Sequence, residues 1–166
     1  MTAGENIGYG RARATADEIR DAARRARADG FIERLPNGYD SMIGEYGATL
    51  SGGERQRLSL ARAILRDAPV FIFDEATSQV DVESERKIRE AMTEFMKDRT
   101  SIVISHRIAT IAGADRIVVF DMGRMVDSGR HEELLERCDL YRTLFHAHLQ
   151  VGTEAARQKE PAGRGA

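Results

Sequence analysis

The sequence predicts an α/β domain with a mostly parallel sheet. Three observations carry this reading. Helical and strand patterns alternate along the chain, as they do when helices cover a sheet. Val70-Phe71-Ile72-Phe73 is an unbroken apolar run that ends in Asp74-Glu75. Such a run, with no polar alternation, suits a strand buried on both faces. Two further apolar runs, Ile102-Val103-Ile104 and Ile117-Val118-Val119-Phe120, follow with helical patterns around them.

In chain order, Thr15-Ala16-Asp17-Glu18 has the form of a capping box, and Ile19, Ala22, Ala23 and Ala26 recur at helical spacing up to Gly30. This predicts a helix over 16–29 with the glycine as its stop. Phe31-Ile32, Leu35-Pro36 and the turn dipeptide Asn37-Gly38 lead into a stretch to Thr49 with two more glycines, which reads as a loop-rich connector. A second helix opens near 51–53, carries Leu58, Ala61, Ile64 and Leu65, and stops before Pro69, because the residue preceding proline disfavours helical geometry.

After the Val70 strand, Ile88, Met92, Phe95 and Met96 mark a third helix, followed by the Ile102 strand, a short helix near 107–112 and the Ile117 strand. Met122-Gly123 turns that strand into Arg124–Val126, and Leu134, Leu135, Leu140, Leu144 and Phe145 place helical segments from about 131 to 148. The small, polar tail over 151–166 is expected to be disordered. No internal repeat is present.

Composition narrows the class without naming a function. The 166 residues are about one domain's worth, enough to hide roughly two-thirds of the unfolded surface. Hydrophobic residues at 42%, charged residues at 31% and a net charge of -2 give no electrostatic case for nucleic acid or an anionic surface. Cys138 stands alone, so no internal disulfide forms, and a buried or idle thiol is expected. No apolar run approaches the ~20 residues of a membrane helix, and the opening residues lack the basic and apolar regions of a signal peptide. Membrane contact is therefore expected through a partner or another segment. His131, His146 and His148 have no companions at metal-ligand spacing and are given no role.

Chemistry concentrates in three strings. Leu50-Ser51-Gly52-Gly53-Glu54-Arg55-Gln56-Arg57 puts a hydroxyl and two glycines at a helix start. There the backbone N–H groups are unpaired and the macrodipole amounts to roughly half a positive charge, so the terminus suits a phosphate oxygen. A bare Ser-Gly-Gly would be only a loop and cap; the eight-residue string is far more specific. Asp74-Glu75 lies at a strand exit, and Ser105-His106-Arg107 follows the next apolar strand. An acidic pair or a histidine in such places is ordinarily solvated or structural, and only the order of the motifs argues otherwise.

That order resembles the ABC ATPases. The Leu50 string matches the family signature, Phe73-Asp74-Glu75-Ala76-Thr77-Ser78 is similar to its Walker B segment, and His106 to its switch histidine. Ser78-Gln79-Val80-Asp81 falls at the D-loop, with Gln79 and Val80 as departures and Asp81 retained. Gly44-Glu45-Tyr46-Gly47 resembles the exporter X-loop, with Tyr46 where arginine is usual, and Glu5–Gly10 resembles the segment after the Q-loop. The resemblance covers roughly residues 5 to 148.

What the resemblance implies is an incomplete P-loop NTPase domain. Residues 1–150 correspond to a partial ATP-binding domain, about 1–68 being part of its helical subdomain and 69–150 the C-terminal part of its catalytic core. It implies ATP and Mg²⁺ as cofactors, with Asp74 at the metal through water, Glu75 polarising the attacking water and His106 at the γ-phosphate. It implies that Leu50, Ser51, Gly52, Gly53, Glu54, Gln56 and Asp81 serve the nucleotide of a second such domain. It also implies a transmembrane partner and a place on the cytoplasmic face of the membrane, with no nucleic acid partner.

The chain contains no Gly-x-x-x-x-Gly-Lys-Ser/Thr string, its only lysines being Lys87, Lys97 and Lys159, and no glutamine before Gln56 to serve as a Q-loop residue. Independent hydrolysis is therefore not expected. A non-catalytic docking module and a non-transport ABC ATPase remain as alternatives; the X-loop-like stretch and the lack of a coiled-coil insertion weigh against the second.

Overall fold

The computed structural model describes residues 1–44, 50–74, 80–105 and 111–147. The chain divides into two compact units, Met1–Ile104 and Ser105–Ala166.

The first unit opens with α1 (Ala3–Gly8), which the sequence pattern did not indicate. Thr2 caps it through a reciprocal box with Glu5, and Ala3 and Ile7 are fully buried. So short a helix is unstable alone; burial of one face and the bond from Ala3 N–H to the Ser41 carbonyl at 2.9 Å hold it.

Helix α2 (Ala16–Arg25) starts at the expected Thr15 box but ends before the expected 29. Arg27 turns left-handed at φ 57°. The N–H groups of Arg27 and Ala28 then bond back to the carbonyls of Arg24 at 3.0 Å and Ala23 at 2.8 Å, the pattern of a Schellman stop. An arginine thus stands where glycine is usual, and fully buried Ala26 and Ala28 anchor the exit in the core. Gly30 lies inside the next short helix, α3 (Asp29–Ile32), whose Phe31 and Ile32 are buried. The expected connector therefore contains core residues, followed by a single 3₁₀ turn at Gly38–Asp40.

Helix α4 (Gly52–Arg66) runs as predicted, from the Ser51 cap to Asp67, which closes it at φ 54° two residues before Pro69. Leu58, Ala61, Ile64 and Leu65 form its buried stripe. Strand β1 (Val70–Asp74) pairs in parallel with β2 (Thr100–Ile104), Ile72 opposite Ile102 and Asp74 opposite Ile104. Between them runs α5 (Val82–Met96), whose Ile88, Ala91, Met92 and Phe95 are buried.

The expectation that the Val70 strand is buried on both faces does not hold. Phe71 and Phe73 turn toward the core, Phe71 meeting Phe95 edge to face at 5.2 Å. Val70 and Ile72 are half or more exposed, as are Ile102 and Ile104 beside them. The apolar composition of a strand sets its preference for burial; only a covering layer provides it, and among the described residues this unit covers one face.

The second unit is built on a hairpin. Strand β3 (Ile117–Asp121) pairs antiparallel with β4 (Arg124–Gly129), with an irregularity between Val119 and Phe120. Met122 at φ 46° and Gly123 at φ 75° make the two-residue turn, the left-handed pair that matches strand twist. Buried Ile117 and Val119 pack with Leu134, Cys138 and Tyr141. Leu134 lies on α6 (His131–Arg137), and a second helical stretch covers 139–147. The helical segments expected from about 131 to 148 are thus two, separated at Cys138, which is extended at φ -107°, ψ 102° and buries its thiol. Of the short helix near 107–112, residues 107–110 lie outside the described residues, as do 148–166 and the expectation of a disordered tail.

No helix among the described residues is long and apolar enough to cross a membrane.

Candidate functional site

The signature string folds into the first turn of α4. Ser51 is extended at φ -66°, ψ 165°; its Oγ accepts from Glu54 N–H at 3.3 Å, while Glu54 Oε2 accepts from Ser51 N–H at 2.8 Å. The sequence supports this locally, since a short hydroxyl followed three residues later by a glutamate satisfies two amides that the helix leaves without partners. The amides of Gly52 and Gly53 belong to the same turn, where no earlier carbonyl serves them. Ser51 is exposed and Gly53 buried. Leu50 is buried, and its carbonyl accepts from Arg55 Nη1 at 2.6 Å, which closes the chain onto the helix start.

Gly53 is placed by packing. A Cβ built on it would lie 2.5 Å from the Ser84 Cβ and 3.3 Å from Val80 Cγ1. The glycine thus brings α4 against the first turn of α5, which Asp81 caps: its Oδ1 accepts from Ser84 N–H at 2.9 Å. That bond holds the Asp81 carboxyl below its ordinary pKa, as a donor aimed at the charged form does. Gly53 and the turn that Asp81 caps are therefore brought together although they are distant in sequence.

Asp74 ends β1 and is exposed, at the sheet's C-terminal edge, beside Ile104. Glu75 and His106, the expected catalytic pair, lie outside the described residues, as do Gln79 and the X-loop positions Glu45 to Gly47. Among the described residues no group of three or more acidic, histidine or cysteine side chains forms a metal cage. A lone carboxylate fits Mg²⁺ held chiefly by phosphate oxygens and water, the usual manner of that ion.

Gln56 sits one turn into α4 with its Oε1 buried and without a hydrogen-bond partner among the described residues. Arg57, to which no role was assigned, is 6% exposed, lies over the Phe31 ring at 5.3 Å and leaves Nε and Nη1 without acceptors among the described residues. Burial, more than any neighbouring charge, depresses its pKa. A sequence signal for this burial existed: Arg57 falls on the stripe of Leu58, Ala61, Ile64 and Leu65. His131, left without a role, instead bonds Tyr141 Oη through Nδ1 at 2.8 Å in the second unit.

Comparisons with known proteins agree on one family. The model of the ABC transporter family matches residues 1–78. The ATP-dependent lipid A-core flippase of Chromobacterium violaceum is 54% identical over 143 residues, 86% of this chain and 24% of the flippase. A protein of the same name from Syntrophus aciditrophicus is 50% identical over 159 residues, 94% of this chain and 26% of its own. The structure of a bacterial Atm1-family ABC exporter with ATP bound superimposes with a TM-score of 0.82 at 43% identity, covering 89% of this chain and 26% of the exporter. The chain thus spans about a quarter of the length of these relatives.

Proposed function

We propose that this chain, which belongs to the ABC transporter family and carries part of an exporter's ATP-binding domain, contributes to two nucleotide sites whose ATP turnover drives transport across a membrane. The observation that carries the reading is the start of α4: an exposed Ser51 hydroxyl and a glycine pair at the N-terminus of a 15-residue helix, seated by Gly53 against the Asp81 turn. This end is polarised toward an anion.

In this reading Ser51, Gly52 and Gly53 donate to the phosphates of a nucleotide held mainly by a second ATP-binding domain. Leu50, Glu54 and Gln56 shape and support that turn, and Asp81 contacts the second domain. Asp74 orients the water shell of Mg²⁺, Glu75 accepts the proton of the attacking water, and His106 donates to the γ-phosphate. When bound, ATP with Mg²⁺ supplies the phosphoryl group and part of the charge neutralisation. A P-loop must come from sequence other than these 166 residues, which contain none. The partners are a second ATP-binding domain and a transmembrane domain, which would hold this chain at the cytoplasmic face of a membrane. Lipid transport by the flippase relatives supports a lipid-class substrate.

The test joins this chain to a P-loop-bearing half-domain and membrane helices. Glu75→Gln is expected to lower ATP turnover by about 10²- to 10⁴-fold, the usual contribution of a general base, while ATP binding persists. Ser51→Arg is expected to abolish turnover by blocking the helix end. Turnover indifferent to both substitutions rejects the reading; docking without turnover in the unsubstituted protein favours a binding module.

A further inference from the structure

A cleft of about 480 Å³ opens in the first unit, lined from α2, α3, α4 and α5 and not by Ser51, Gly52 or Asp74. Its charged lining holds Arg24, Arg27, Arg34, Arg57, Arg86 and Lys87 against only two carboxylates, Asp29 and Glu90. Both acids are engaged: Asp29 accepts from Tyr39 Oη at 2.6 Å, and Glu90 pairs with Arg86. Four of the cations have carboxylate partners, Lys87 with Glu83 at 2.7 Å, Arg24 with Asp21 at 3.3 Å, Arg27 with Glu94 at 3.7 Å, and Arg86 as above. Arg34 and Arg57 have none among the described residues.

Arg57 is the decisive group. It is 6% exposed, and its Nε and Nη1 are buried without acceptors. The Phe31 face at 5.3 Å offers the cation some attraction but cannot accept from N–H groups in the guanidinium plane. The charges of Glu54 and Asp81 favour that of Arg57, and Arg34 acts against it. None of these acids accepts from Nε or Nη1 among the described residues, and a buried guanidinium with two unserved nitrogens is unfavourable unless an acceptor arrives. We propose that this cleft is an oxyanion site for the phosphate class, with Arg57 as its floor and Arg34 as a mobile arm that closes on the bound group. Planar guanidinium groups match the oxygens of such a group two at a time, and the exposed rim leaves an entry path.

The test uses the full 166-residue chain and inorganic pyrophosphate, followed by titration calorimetry and ³¹P line broadening at low salt. Saturable binding is expected, weakening at high salt. It should fall about fivefold in Arg34→Gln and again in Arg27→Gln, the effect of removing one exposed charge. Both side chains lie on the rim, so folding should be unchanged. Arg57→Lys keeps the charge but loses the planar donors and should weaken binding with little loss of thermal stability, whereas Arg124→Gln, an exposed charge on β4 that does not line the cleft, should leave it unaltered. Phosphatidic acid vesicles form the second arm: sedimentation with vesicles that Arg34→Gln abolishes, without pyrophosphate binding, identifies a lipid headgroup as the source of the same chemistry. The chain carrying Ile72→Lys and Ile104→Lys, neither residue lining the cleft, should give the same pattern. Absence of binding in both arms overturns the proposal, as does binding indifferent to Arg34→Gln and Arg57→Lys or equally weakened in Arg124→Gln.

Discussion

Gly53 lies so close to Ser84 that a Cβ built on the glycine would sit 2.5 Å from the serine Cβ and 2.8 Å from its Oγ. The second signature glycine therefore has a packing reason to be a glycine, separate from any phosphate. Gly53→Ala should destabilise the first unit by about 1–3 kcal/mol, the usual cost of overpacking a tight contact, read from urea unfolding. Ser84→Gly removes both clashing atoms and should restore much of that loss. Strictly additive effects of the two substitutions would show that the contact does not limit the packing.

Ser51 combines a cap with a candidate phosphate contact, and the two separate by substitution. Ser51→Ala removes the bond to Glu54 N–H and should cost about 1 kcal/mol. Ser51→Asp keeps a capping oxygen and should melt close to the unsubstituted chain, yet it places a negative charge where a phosphate would sit. In the joined, P-loop-bearing protein it should abolish ATP turnover. Equal turnover for Ser51→Asp and the unsubstituted protein would remove Ser51 from the nucleotide site.

In the second unit, Arg137 donates from Nε and Nη2 to the two oxygens of Asp127, both at 3.1 Å. This holds the Asp127 carboxyl below its ordinary pKa. A depressed folded-state pKa contributes stability that is fully present above the unfolded value of about 3.9 and is lost as pH falls through the lower, folded value. Stability of the hairpin and α6 should thus decline below about pH 4, and Asp127→Asn should flatten that part of the profile. Urea titrations read through the Tyr141 ring resonances, carried downward from about pH 6 through the unfolded value of about 3.9, measure it. An unchanged acid profile in Asp127→Asn would assign the decline to other carboxylates.

Ile72 at 62% and Ile102 at 50% exposure stand opposite each other in register. With Val70 and Ile104 they make an apolar strand face open to water, a surface prone to self-association. The isolated chain should scatter light at concentrations where Ile72→Lys with Ile104→Lys does not. The double variant should unfold within about 0.5 kcal/mol of the original, as exposed substitutions usually do. Equal scattering by both would place the sticky surface elsewhere.

Much of this was legible in residue order. The Thr15 and Ser51 boxes, the Asp67 stop before Pro69 and the Met122-Gly123 turn are local: each depends on side chains within a few positions of the backbone groups they serve. That β1 and β2 are strands on either side of α5 was legible in their apolar runs; their pairing to each other came from the fold. Helices α1 and α3 were not legible, because a turn or two of helix has no stability of its own and forms only where Ile7, Phe31 and Ile32 find a core.

The sequence by itself determined the family, the capped start of α4, the acidic exit of β1 and the absence of a P-loop from these residues. Tertiary structure alone decided why Gly53 must lack a side chain, that Arg57 is buried over Phe31 in a cleft it shares with Arg34, and that one face of β1 and β2 stays open to water. The physical reason is range. Caps and turns are set by bonds between near neighbours, whereas burial, close approach and the meeting of like charges depend on which distant segments the folded chain brings together.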